Sequence, residues 1–180
     1  MNLLLVAVGL SKVVFGGLVA ALGIWLAFRG LHRLLGTDPT GDLRTGNVAA
    51  GVVHAASLLA LGLLVQNAVN ATFDAVDLTF RGPAVAPSAL LRLSVFSLLH
   101  VGISLLVGTG VLALGVTVFD KITPGLDELA EVRRGNVAAA LVLAAILLVL
   151  ALLTAPGLQA TLNGLIPFPE LPASTYHSPA

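Results

Sequence analysis

Most of the polar side chains that could do chemistry in this chain sit in one phrase written twice. Arg44-x-Gly46-Asn47-Val48-Ala49-Ala50 returns 89 residues later as Arg133-x-Gly135-Asn136-Val137-Ala138-Ala139, and an acid precedes each Arg by two positions (Asp42, Glu131). Two readings compete for this set. As a ring around the end of a central cleft, the amides of Asn47 and Asn136 with the carboxylates of Asp42 and Glu131 could hold an ion or a partner's loop. As local structure, Gly and Asn at a helix start let the backbone turn and cap its first amides. The acids then complement the positive helix end, while Arg44 and Arg133 lie at headgroup level. The cap is favoured, because duplication alone would repeat one geometry.

His54 is the second candidate. It lies seven residues past Asn47, ~10 Å along a helix, inside an apolar run, and its repeat counterpart is Leu143. An ionisable group at that depth in a membrane span is a candidate pH-sensitive gate or proton relay. The bland alternative, a neutral imidazole bonded to a Ser or carbonyl of a neighbouring helix, is preferred. Counted over a ~20-residue span that ends at Phe28 and so begins at Gly9, Lys12 falls three residues inside and is read as an interface anchor whose ammonium snorkels. His100, Gln66 and Asn67 fall at the outer boundary and are read as interface residues. All nine acids lie outside the apolar spans, which argues against an ion-coupled pump. No nucleophile–base pair, metal-ligand spacing or phosphate loop occurs, so neither enzyme activity nor a cofactor is expected.

The elements that position these residues follow from composition. Of 180 residues, 57% are hydrophobic and 10% charged, against about 25% charged in soluble domains. Mean hydropathy is +1.02. Nine basic and nine acidic residues cancel, leaving no electrostatic case for nucleic acid. There is no cysteine. Four stretches, about 5–28, 47–68, 93–118 and 136–155, hold roughly the 20 residues needed to cross a ~30 Å hydrocarbon core as helix. The sequence thus predicts an all-α integral membrane protein of four helices in one domain, and the first stretch is expected to be a retained span.

Residues 46–64 and 135–153 share thirteen identities in nineteen positions. The chain therefore reads as two tandem hairpin repeats, about 3–69 and 93–155, both entering the membrane the same way up and related by a pseudo-two-fold along its normal. A connection at 70–92 is expected to lie along the outer surface, and a Pro-rich tail at 156–180 is expected to be extended, loose or a strip for a neighbour. The loops at 29–46 and 119–135 hold six Lys and Arg against two in 69–92 and none after 155. The positive-inside rule places those two loops in the cytoplasm and both termini outside. Between Thr123 and Arg134, with Pro124 starting it, a short surface helix is expected as a stiff turn or a docking site for a soluble protein. Small residues at Gly16/Ala20, Gly17/Ala21 and Ser104/Gly108 predict close helix approach, within the bundle or between copies.

Phe119-Asp120-Lys121-Ile122-Thr123-Pro124-Gly125, followed by Glu131-x-x-x-Gly135-Asn136-Val137-Ala138, resembles the domain-of-unknown-function 350 family of small bacterial inner-membrane proteins with two tandem two-span repeats. The resemblance covers 3–155. In the first repeat Arg29 stands where the family has Asp120's equivalent, and Thr37-Asp38-Pro39 replaces Thr-Pro. Whatever Asp120, Thr123 and Pro124 do belongs to one half only. The resemblance implies a bacterial inner-membrane location and the fold, and no activity. The functional expectation is a non-enzymatic scaffold or accessory subunit that forms homo-oligomers or a membrane complex and docks a partner at its cytoplasmic loops. The alternative is a small channel or permease with a passage at the repeat interface.

Overall fold

The computed structural model describes residues 3–35, 39–80, 86–122 and 128–165. They form six helices: α1 (Leu3–Leu35), α2 (Pro39–Thr45), α3 (Val48–Phe80), α4 (Pro87–Ile122), α5 (Glu128–Arg133) and α6 (Val137–Leu165), with no strand among the described residues. α1, α3, α4 and α6 are long and apolar enough to cross a membrane, the architecture of a multi-pass membrane protein. Thr123, Pro124 and the tail from 166 onward lie outside the described residues.

All four long helices overrun the expected spans. α3 has 33 residues, ~50 Å at 1.5 Å per residue against a ~30 Å hydrocarbon core. The expected surface loop from Asn70 is instead helix as far as Phe80. The reason is local and tertiary at once. No Gly or Pro interrupts 69–80, and Thr72 and Thr79 donate their hydroxyls to the carbonyls of Ala68 and Ala75. Ala75 packs with Leu93 and Phe96 of α4 in a small second core. α6 likewise runs ten residues past the expected end at Ala155, straight through Pro156. Proline forfeits one backbone bond there, but the helical face continues into Leu158 and Leu162, both buried.

α3 is the centre. It packs along α6 and α4, with α1 against α3 and α4. Leu64, Leu143 and Leu147 are fully buried between these helices. The two hairpins share an internal contact: a Cβ on Gly23 would lie 3.9 Å from Leu61, and one on Gly115 3.4 Å from Leu150. Leu61 and Leu150 are repeat counterparts. Outside that contact the halves differ. An exact two-fold would set α1 against α6 as α4 is set against α3, whereas α1 packs on α3 and α4. Val53 of α3 is therefore fully buried while its counterpart Val142 is half exposed.

Glycine decides where α4 can approach. A Cβ on Gly108 would stand 2.5 Å from Leu61 Cδ1, and one on Gly115 2.5 Å from Leu147 Cδ2. Ser104, one turn before Gly108, is fully buried. The Ser104/Gly108 pair thus serves packing within the chain. Gly17 and Ala21 of α1 are both exposed, with nothing within 4 Å of a Cβ on Gly17.

Candidate functional site

The doubled phrase builds the same stop-and-restart of the helix in both halves. Gly46 (φ 69°) and Gly135 (φ 91°) adopt the left-handed region, which costs other L-residues ~1–2 kcal/mol. Asn47 N–H donates back to Asp42 O and Asn136 N–H to Glu131 O, both at 2.9 Å, and Gly135 N–H donates to Val132 O. These bonds close the Schellman ending of the short helices α2 and α5. Arg44 and Arg133 sit in their last turns, beside the negative helix end, and both are exposed. The acids, expected to complement the long helices, stand in the preceding short ones.

Each Asn then starts the next helix. Asn47 Oδ1 accepts from Ala50 N–H, and Asn136 Oδ1 accepts from Ala138 and Ala139 N–H, which is the capping expected. Their amide nitrogens diverge. Asn136 Nδ2 donates to its own Glu131 Oε2 at 3.0 Å, while Arg134 holds Oε1 at 2.8 Å. Asn47 Nδ2 reaches across 85 residues to the carbonyls of Val132 and Arg133, at 3.3 and 3.1 Å. Asn47 thereby ties the start of α3 to the end of α5 and fastens the two loops together. Glu131 is engaged by Arg134 and Asn136, whereas Asp42 keeps one carboxylate oxygen buried without a partner. Val132 of α5 is buried in the main core, so this short helix is anchored to the bundle by its apolar face. Asp120 is exposed near the end of α4.

His54 is buried on α3. Its Nδ1 lies 2.6 Å from Ala50 O of its own helix, not from a neighbouring helix as expected, and its ring stacks on Phe28 of α1 at 5.5 Å. A carbonyl can only accept, so Nδ1 carries the proton in the neutral ring. Nε2 is left as a bare acceptor without a partner.

At the opposite end of the bundle the structure assembles groups that sequence reasoning kept apart. Lys12 Nζ, expected to snorkel as an anchor, contacts Asp77 Oδ1 at 2.6 Å and lies 5.7 Å from the centre of the Phe73 ring. His100, expected at the interface, is 1% exposed. Its ring lies against Phe96 at 4.0 Å, and Nδ1 is 3.3 Å from Phe96 O. It forms one wall of a cavity of about 140 Å³ among α3, α4 and α6, also lined by Asn67, Asn70, Asp74, Gln159 and Asn163. The helix overruns create this grouping, since the expected ends at 68 and 155 put four of these residues in a loop or tail. A separate apolar crevice of about 570 Å³ opens between α1, α3 and α4, with Lys12 at its rim.

No curated protein and no solved structure matches the chain. A family model does match, and it covers the second hairpin through α6, so kinship of the first hairpin rests on the repeated phrase. Over residues 91–168 the chain matches the model of the family described as Domain of Unknown Function (DUF350).

Proposed function

We propose that the protein is a non-enzymatic scaffold or accessory subunit of a bacterial inner membrane that pairs with a second copy through α1. Its fastened loops would face the cytoplasm as a rigid docking point. One observation carries the pairing. Close-approach residues on α4 are used inside the chain, whereas Gly17 and Ala21, one turn apart on α1, are exposed. In lipid, small residues at that spacing let two helices meet closely, and packing is what drives association. α1 is also the least buried of the four long helices.

The permease alternative draws less support. Leu61, Leu64, Leu105, Leu112 and Leu147, all buried, fill the layer between the level of His54 and that of His100. Asn47 and Asn136 are occupied as caps rather than left free to receive a solute.

The absence of cysteine allows a clean test by disulfide cross-linking in native membranes. Gly17→Cys and Ala21→Cys should cross-link between copies, and Leu153→Cys, exposed on α6, should not. Gly17→Leu should shift the detergent-solubilised protein to monomer in light scattering. A wild type already monomeric, or liposome fluxes altered by His54→Leu or Asn136→Ala, would reject the scaffold in favour of the channel.

A further inference from the structure

We propose that the cavity walled by His100 is a binding site for a partly hydrated divalent transition-metal cation. The bond from Nδ1 to Phe96 O fixes which ring nitrogen carries the proton. Nε2 is then a lone-pair donor on the side of the ring away from its own backbone. That nitrogen is buried without any partner, on a residue 1% exposed. Metal-ligating histidines take this arrangement, with the far nitrogen donating to a backbone carbonyl so that the near one is oriented and more basic.

The remaining lining sets the sign and class of the ligand. Asp74 brings a carboxylate, and Asn67, Asn70, Gln159 and Asn163 bring amide oxygens. No Lys or Arg lines the cavity, so an anion has nothing to meet and a cation meets one full negative charge. An imidazole nitrogen beside oxygen donors favours first-row transition ions over calcium or magnesium, which prefer oxygen alone. Among the described residues no three His, Asp or Glu side chains converge. The protein therefore supplies one nitrogen and one carboxylate, and amide oxygens and water complete the shell. A volume of about 140 Å³ has room for that, since a water occupies ~30 Å³ in the liquid.

The test uses full-length, tag-free protein in mild detergent, with Mn²⁺ as the probe. Loss of the free-ion electron paramagnetic resonance signal gives the affinity, and electron spin-echo modulation reports nitrogen bound to the metal. Wild type should bind one Mn²⁺ per chain with a nitrogen modulation. His100→Ala should abolish the modulation and weaken binding at least ~10-fold, the loss typical of even a supporting partner of a metal ligand. Asp74→Asn, a near-isosteric change at an exposed position, should weaken binding while keeping the modulation. An absence of saturable binding, binding without nitrogen modulation, or binding indifferent to both His100→Ala and Asp74→Asn would overturn the assignment. Should His100→Ala fail to fold, the wild-type modulation and Asp74→Asn still decide it.

Discussion

Replacing Gly108 by Ala should separate close packing in this bundle from mere tolerance of small residues. The added Cβ would stand 2.5 Å from Leu61 Cδ1 and 3.7 Å from Leu64 Cδ1, the first about 1 Å inside ordinary contact. Leu61 is 2% exposed, so its methyl has little room to retreat. Forcing one extra methyl into a packed interior costs ~1–3 kcal/mol, and Ala in place of Gly within a helix returns up to ~1 kcal/mol. The net expectation is a loss of ~0–3 kcal/mol. Gly110→Ala, two residues on with nothing within 4 Å of its Cβ, should keep only the gain. Unfolding by dodecyl sulfate in mixed micelles, followed by circular dichroism, measures both. Leu61→Val removes the colliding methyl, so in that background the penalty of Gly108→Ala should disappear, a coupling of ~1–3 kcal/mol. If Gly108→Ala matches Gly110→Ala, or its penalty survives Leu61→Val, the α3–α4 contact is not where the structure puts it.

Three further outcomes follow from the loop end and the buried His54. Gly46→Ala and Gly135→Ala should each cost ~1–2 kcal/mol in the same unfolding assay, since both glycines hold positive φ. Asn47→Ala should cost more than the ~0.5–2 kcal/mol of a lost cap and more than Asn136→Ala, because it also releases the carbonyls of Val132 and Arg133; equal losses would mean the bridge between loops carries nothing. His54→Leu, which installs the residue of the other repeat and removes an unpartnered buried nitrogen, should change stability by no more than ~1 kcal/mol. Hydrogen–deuterium exchange on that variant should leave the α3 amides as protected as before.

Four long helices and the doubled turn were legible because each rests on short-range information. A run of apolar residues sets a span, and Gly-Asn after an acid sets a stop and a cap whatever surrounds it. The ends of the long helices were not legible in the same way. Hydropathy falls after Ala68 and after Ala155, but helix continues wherever the backbone has no breaker and one face still finds a neighbour, as Ala75, Leu158 and Leu162 do. Truncating those helices on hydropathy hid the grouping of Asn70, Asp74, Gln159 and Asn163 with His100. One signal in the sequence does mark the continuation of α6: Leu158 and Leu162 extend the apolar positions Leu147 and Ala151 at helical spacing. The short helix α2 was missed for the opposite reason. At seven residues it has too few positions for periodicity to register, and only its ending, shared with α5, marks it.

The unequal packing of the two hairpins bears on what the duplication is for. Two identical turns at one end hold α3 and α6 in matched register, and Asn47 fastens those turns to each other. A bundle built only to close on itself could then place α1 against α6, as α4 lies against α3. It places α1 against α3 and α4 instead, held to α3 by Lys12 on Asp77 and by Phe15 edge-on to Phe73. That choice leaves Leu141, Val149 and Leu152 of α6 exposed on one side and the Gly17/Ala21 face of α1 exposed on another. The internal repeat therefore sets the rigid loop end, while its departure from symmetry creates the free helix faces. If α1 pairs between copies, breaking the Lys12–Asp77 contact should loosen the assembly without unfolding α3, α4 and α6. Lys12→Ala or Asp77→Asn should raise the monomer fraction while the circular dichroism melt of the remaining helices stays in place. A melt that falls together with the oligomer would show α1 to be part of the core rather than an arm held against it.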